Sequence, residues 1–167
     1  MSDSGPHAAR PHMPGYGLKG ADEGSGLLSW AAVAPMVAAS HDYWLATTYP
    51  DGRPHVMPVW GVWDGSYLWF SSSVQSRKVR NLHRDPRCVA TTDDALDPVV
   101  LEGTASFIAE PDGIAHFLGL LNAKYRTSYG LDFLDPAKNA CVRIRPVTAF
   151  ALLASDFTGS PTRWTFP

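Results

Sequence analysis

Five of the chain's 14 lysines and arginines fall in one short run, SSSVQSRKVRNLHRDPR at residues 71–87: Arg77, Lys78, Arg80, Arg84 and Arg87. Cations this dense behind a serine-rich approach are candidates for holding an anion. SRKVRNLHR reads as a short helix over 76–84, with Val79 and Leu82 three apart and turned inward. Asp85-Pro86 ends it. The first amides of a helix lack intrahelical partners and sit at the positive end of its dipole. Ser76 and Lys78, in that first turn, therefore suit a phosphate. Asn81, three residues after Lys78, falls on the same face. Arg77 points elsewhere, with Arg84 seven residues after it. The same charges also fit a solvated helix face beside Asp85.

The remaining reactive residue types form no comparable group. Ser160 in TGSPT is not a GxSxG nucleophile turn. His41, His55, His83 and His116 show neither triad nor metal-ligand spacing, so no metal and no catalytic side chain is assigned. Asp93-Asp94 reads as a turn, and there is no Walker or GxGxxG sequence. Cys88 and Cys141 are far apart in apolar surroundings and read as small buried hydrophobes. Trp60, Trp63 and Trp69 lie on neighbouring expected strands, as core or interface.

The elements that must position the basic run are mostly strands. With 167 residues, 45% of them hydrophobic, the chain is expected to be one domain with a real core. The net charge of -2 and 18% charged residues argue against a general nucleic-acid or membrane-surface binder. A soluble cytoplasmic protein is expected, since no apolar run reaches membrane-spanning length. Residues 1–26 are rich in Gly, Pro and His and read as a flexible arm. LLSWAAVAPMVAA, 27–39, predicts a helix capped by Ser25 or Ser29, with Pro35 interrupting it or opening a second piece.

YWLATT, PHVMPVWGVW and SYLWFSS then read as an antiparallel meander joined by Asp-Gly turns. Pro58 removes a ladder donor and places the second strand at an edge or bulge. RCVATTD and DPVVLEGTASFIAE follow, with Gly103 marking a bulge in the latter. A helix from Pro111 with Gly130 past its end, and a last strand ACVRIRPVTAFALLA, complete the set. The tail, 155–167, reads as irregular. The expectation is a mainly β fold: six mostly antiparallel strands in a small barrel with helices around it.

YWLATTYPDGRPHVMPVWGVWDGSYLWFSSSVQSRKVRNLHRDPRCVATT resembles the pyridoxamine 5′-phosphate oxidase-like proteins, the split β-barrels that use flavins or deazaflavins. The likeness continues through VVLEGTA and RPVTAFAL and covers about residues 27–154. The ending DFTGSPTRWTF is similar to a branch often assigned to coenzyme F420. The resemblance implies a six-stranded split barrel and a homodimer with cofactor sites at its interface. It also implies an oxidoreductase that uses F420, favoured, or FMN, acting on a small organic substrate.

By position, His55, Met57, Pro58, Val59 and Trp60 would line the ring system, and Ser71 and Ser72 the ribityl chain. Ser76, Arg77, Lys78 and Asn81 would hold the phosphate. Arg163 and Trp164 would close the site from the tail, in the same or the other subunit. The C-terminal arginine and histidine pattern of true pyridoxamine phosphate oxidases is absent, which argues against vitamin B6 oxidation. Arg80, Arg84 and Arg87 are either solvated or a groove for the acidic tail of F420. Two other classes fit the same residues: a non-enzymatic carrier of flavin, haem or tetrapyrrole, and a single-stranded nucleic-acid module with stacking aromatics.

Overall fold

The computed structural model describes residues 5–167. The strands are β1 (His7–Ala9), β2 (Asp42–Thr48), β3 (Pro54–Trp60), β4 (Val62–Trp63), β5 (Leu68–Ser73), β6 (Arg87–Thr92), β7 (Val99–Ile108), β8 (Asn139–Ala151) and β9 (Thr162–Thr165). The helices are α1 (Trp30–Ala39), α2 (Arg77–Arg84) and α3 (Pro111–Tyr125). Every strand pairing is antiparallel.

The sheet runs β1-β9-β8-β7-β6-β2-β3, and β5 pairs with the first half of β8. Thirteen-residue β8 is long enough to serve two neighbours on one side: β5 along Asn139–Ile144 and β9 along Thr148–Ala151. The path β3-β2-β6-β7-β8-β5 is the six-stranded barrel. Among the described residues β3 pairs with β2 alone and β5 with β4 and β8, so the barrel is split between β3 and β5.

Sequence alternation explains which faces are buried. Tyr43, Leu45 and Thr47 of β2 point in, and Trp44, Ala46 and Thr48 point out. Inside the barrel, Tyr43, Leu45, Leu68, Phe70, Ala90, Leu101, Val142 and Ile144 pack with Val79 and Leu82 of α2. Val33 and Val37 of α1 join the same core. A second core lies between α3 and the barrel, where Ile114, Phe117, Leu118 and Leu121 meet Trp69 and Cys141. Both cysteines are free and buried, and burial pushes their thiols up to about 12, which leaves them unreactive. Among the described residues no helix is long and apolar enough to cross a membrane.

Gly103 is a bulge, as expected: the β7–β8 register shifts between Glu102 and Gly103. A Cβ there would overlap the Arg145 carbonyl oxygen. Pro58 lies on an edge strand, also as expected.

Four details differ from the sequence reading. Helix α1 runs through Pro35 without a break, capped by Ser29. PHVMPVWGVW is two strands, because the pairing changes from β2 to β5 at Gly61, where a Cβ would meet the Tyr43 ring at 2.9 Å. Helix α3 ends at Tyr125, with Arg126 in the left-handed region at φ 54°, well before Gly130.

The fourth concerns the termini. Residues 7–9 of the expected flexible arm form β1 on β9, and the tail supplies β9 itself. Arg10 donates to the carbonyls of Gly159, Pro161 and Gly20. Asp156 accepts from the Ser25 amide and hydroxyl. Composition sees no apolar period here because backbone pairing and one half-buried arginine do the work. The first four residues of that arm lie outside the described ones.

Candidate functional site

The site is built where the split meets α2. Strand β5 ends in Ser71, Ser72 and Ser73, and Ser76 then caps α2, its hydroxyl accepting from the Val79 amide. The capping serine thus sits at the positive end of an eight-residue helix. Ser72 Oγ donates to Ser76 Oγ at 3.1 Å, and Lys78 Nζ donates to Ser72 Oγ at 3.2 Å. Lys78 is partly buried with no carboxylate among its described partners, and desolvation holds its pKa below the ordinary value. A partly buried cation whose described hydrogen-bond partner is a single hydroxyl is chemically matched to an anion.

Pro58, Val59 and Trp60 of β3, Ser71 of β5 and Lys78 of α2 line one cleft of about 270 Å³ with Leu121 and Phe133. Five residues expected from the sequence are therefore brought together. Leu121 and Phe133 were not expected. They come from α3 and the loop after it, and only their packing position marks them. Trp60 is 42% exposed and stacks on Tyr125 at 4.2 Å with 5° between planes. Met57 is exposed on the same strand.

Tyr125 in turn is held by the Gly61 amide, which donates to its hydroxyl at 2.8 Å. Beside it, Lys124 donates to the Gly61 carbonyl at 2.7 Å and to Tyr43 Oη at 3.1 Å. Burial lowers the Lys124 pKa to about 8 and raises that of Tyr125 to about 12. This polar seat fixes the aromatic wall behind the cleft, and no local sequence signal announces it.

His55 borders the cationic end. Its ring meets Tyr49 edge-on at 5.3 Å, while Arg53 and Arg77 lie over the Tyr49 ring at 4.5 and 5.3 Å. Burial, then Lys78 and Arg77, hold its pKa below the usual histidine value.

Three expected residues are placed elsewhere. Asn81 is 1% exposed and donates to Thr47 Oγ1 at 3.0 Å, so it faces the barrel interior beside Val79 and Leu82 and not the cleft mouth. An offset of three residues leaves a 60° rotation from Lys78, enough in this short helix to turn the amide inward. Trp164 is fully buried and packs on Trp30 at 5.4 Å, because alternation in β9 points it into the core. It does not close the site. Arg163 points outward, 3.3 Å from Glu102 and 3.2 Å from Thr148. Within this chain it is four strands and more from β3.

Of the outlying cations, Arg84 donates to the carbonyls of Thr48 and Tyr49, and Arg87 pairs with Asp85 at 2.8 Å. Arg80 is exposed.

The outer face of the sheet carries a row that crosses every strand from β1 to β3: Ala9, Arg163, Phe150, Val100, Thr91, Trp44 and Pro58 are successive register partners. Trp44, Val56, Trp60 and Val147 on this side are 42–50% exposed. A cleft of about 490 Å³ lies along it between Ala46, Pro54, Val89 and Val147.

Comparison with known proteins follows the same lines. Residues 30–152 match the family described as pyridoxamine 5′-phosphate oxidase. A structure titled F420 reductase is 25% identical with a TM-score of 0.57, covering 69% of this chain and 93% of that one. A conserved hypothetical protein of Mycobacterium tuberculosis is 27% identical with a TM-score of 0.65, covering 83% and 85%. General stress protein 26 of Bacillus anthracis shares the fold at 20% identity, with a TM-score of 0.59 and coverage of 72% and 91%. A search of curated proteins finds no match. The barrel split between β3 and β5 and the match over 30–152 place this chain in the pyridoxamine 5′-phosphate oxidase-like split-barrel family, which includes F420-related members.

Proposed function

We propose that this protein is an oxidoreductase that binds the phosphate end of F420, or of FMN, at the Ser72–Ser76–Lys78 cluster and seats the ring system along β3. The observation that carries this is the partly buried Lys78, with no carboxylate among its described partners, at the capped end of α2. Similarity to a structure titled F420 reductase favours the deazaflavin. Arg53 and Arg77, both over the Tyr49 ring, extend the positive surface beyond the phosphate position, where an acidic tail would run.

The bound cofactor would supply the hydride chemistry. The chain's own residues bind, orient and exclude water. Lys78 and the Ser72 and Ser76 hydroxyls donate to the phosphate. The unpaired edge of β3 offers backbone groups to the ring, with Pro58 removing one donor. Leu121, Phe133 and the Trp60–Tyr125 stack keep the inner wall apolar. An activated double bond, a nitro group or a quinone-like acceptor suits such a pocket.

A second copy completes the site on this reading. Ligand pockets usually enclose about 300–1,000 Å³, and the cleft at the split holds only about 270 Å³. Stacking a partner on the exposed Trp44–Val56–Trp60 face would wall the open side and bring the partner copy's outward β9 surface, which carries Arg163 in this chain, toward that cleft.

Titrating the purified protein with FMN and with F420, followed by absorbance and fluorescence, tests the reading. Saturable binding of one of them is expected. Saturation by neither overturns it.

A further inference from the structure

The buried amide of Asn81 begins a polar chain that phosphate binding does not explain. Asn81 Nδ2 donates to Thr47 Oγ1, and Asn81 Oδ1 has no partner among the described residues. Thr47 is 3% exposed and lies opposite His55 in the β2–β3 register. Its Oγ1 stands 3.3 Å from His55 Nδ1.

A hydroxyl owns one proton and accepts through its lone pairs. With the Asn81 N–H on one lone pair, the Thr47 proton has a single described acceptor, His55 Nδ1. That nitrogen must then be bare. The opposite arrangement, with Nδ1–H donating to Thr47, strands a buried hydroxyl proton. Turning the Asn81 amide over would strand an NH₂ group where one carbonyl oxygen is now unpaired, and buried orphan donors are the rarer case.

We infer that Asn81 and Thr47 are positioning residues that lock His55 in its neutral Nε2–H tautomer, so that the ring offers one fixed donor to the anionic end of the bound ligand beside Lys78. The identity of that ligand rests on the function proposed above; the lock does not. Arg77 and Lys78 are the charged groups that act on the ring, and both disfavour the imidazolium. A neutral donor therefore adds a hydrogen bond to the serine and lysine set with no further cation to hold apart.

Long-range nitrogen–proton correlation spectra of ¹⁵N-histidine-labelled protein read the tautomer directly, with a His55→Gln variant identifying its resonances among the six histidines. Wild type is expected to show a bare Nδ1 and a protonated Nε2 at neutral pH. Thr47→Val, of equal shape, is expected to give a mixture of tautomers, and Thr47→Ser to retain the lock. Binding of FMN or F420 is expected to move the Nε2 resonance and to be about twofold weaker in Thr47→Val, because an even mixture leaves about half of the rings with the Nε2 donor.

A protonated Nδ1 in wild type, or a tautomer unchanged in Thr47→Val, overturns the inference. Saturation by a cofactor that leaves the His55 resonances unmoved removes the donor role while the cofactor reading stands. A lock that is lost in Thr47→Val, in a protein that neither cofactor saturates, supports the lock and overturns the cofactor reading instead.

Discussion

Lys78 carries a charge that folding partly desolvates and whose hydrogen-bond partner among the described residues is the Ser72 hydroxyl. Replacing it with methionine keeps the stem and removes the charge. Hydrogen bonds to charged groups are worth about 1.5–3 kcal/mol, so Lys78→Met is expected to weaken FMN or F420 binding by about 10- to 100-fold. Riboflavin, which lacks the phosphate, should bind wild type and variant alike. Equal FMN affinity in the two proteins would remove Lys78 from the site. Lys124 gives a second residue-scale expectation. Its folded pKa of about 8 lies below the unfolded value of 10.5, so the unfolded chain holds the extra proton between them. Its charge opposes folding at neutral pH, and that cost is relieved as pH rises through about 8. Urea unfolding of wild type against Lys124→Met should therefore show wild type gaining relative stability from about pH 8 to 9.5. A flat difference would mean that the lysine is solvated. The basic run was legible residue by residue in its serines and its lysine. Asn81 was not, because a 60° turn of a short helix decides between cleft and core.

At the scale of elements, α2 depends on its cap and β7 on its bulge. Ser76→Ala removes the bond to the Val79 amide and is expected to cost about 1 kcal/mol of stability. It should also weaken phosphate binding, which separates it from a purely structural cap. Gly103→Ala places a Cβ against the Arg145 carbonyl, which is backbone and cannot rotate away. A loss of about 1–3 kcal/mol is expected from that overlap, read as a lower urea midpoint with an unchanged slope. The bulge was visible in sequence because it is local, a glycine inside an alternating strand, whereas Ser76 was read inside the first turn and the structure makes it the cap. The break at Gly61 was invisible, since what forbids a side chain there is the ring of Tyr43, far away along the chain.

The whole molecule presents an apolar sheet face, with Trp44 and Val56 each 50% exposed. Exposed apolar surface of this kind marks an interaction site. Trp44→Glu combined with Val56→Lys is expected to convert a dimer to monomers in sedimentation velocity at micromolar concentration, and to lower cofactor affinity with it. A wild type that sediments as a monomer would overturn the two-copy site. At the opposite edge, Arg10 ties the N-terminal segment to the carbonyls of Gly159 and Pro161. Arg10→Ala should free that segment, read as faster proteolytic trimming of the first 26 residues with the barrel intact.

Taken alone, the sequence determined the six barrel strands, the two Asp-Gly turns, the edge position of Pro58 and the basic helix. Those follow from alternation, backbone chemistry and capping, which act over a few residues. It also carried enough joint pattern over 27–154 to indicate the family. Tertiary structure decided what depends on residues distant in the chain. It sent Trp164 into the core, because β9 pairs with β8 in a register that no tail composition reveals. It paired the arm with the tail through backbone bonds, to which side-chain patterns are blind. It also joined Asn81, Thr47 and His55 into one chain of hydrogen bonds, since hydrogen-bond partners are chosen by distance in space and not in sequence.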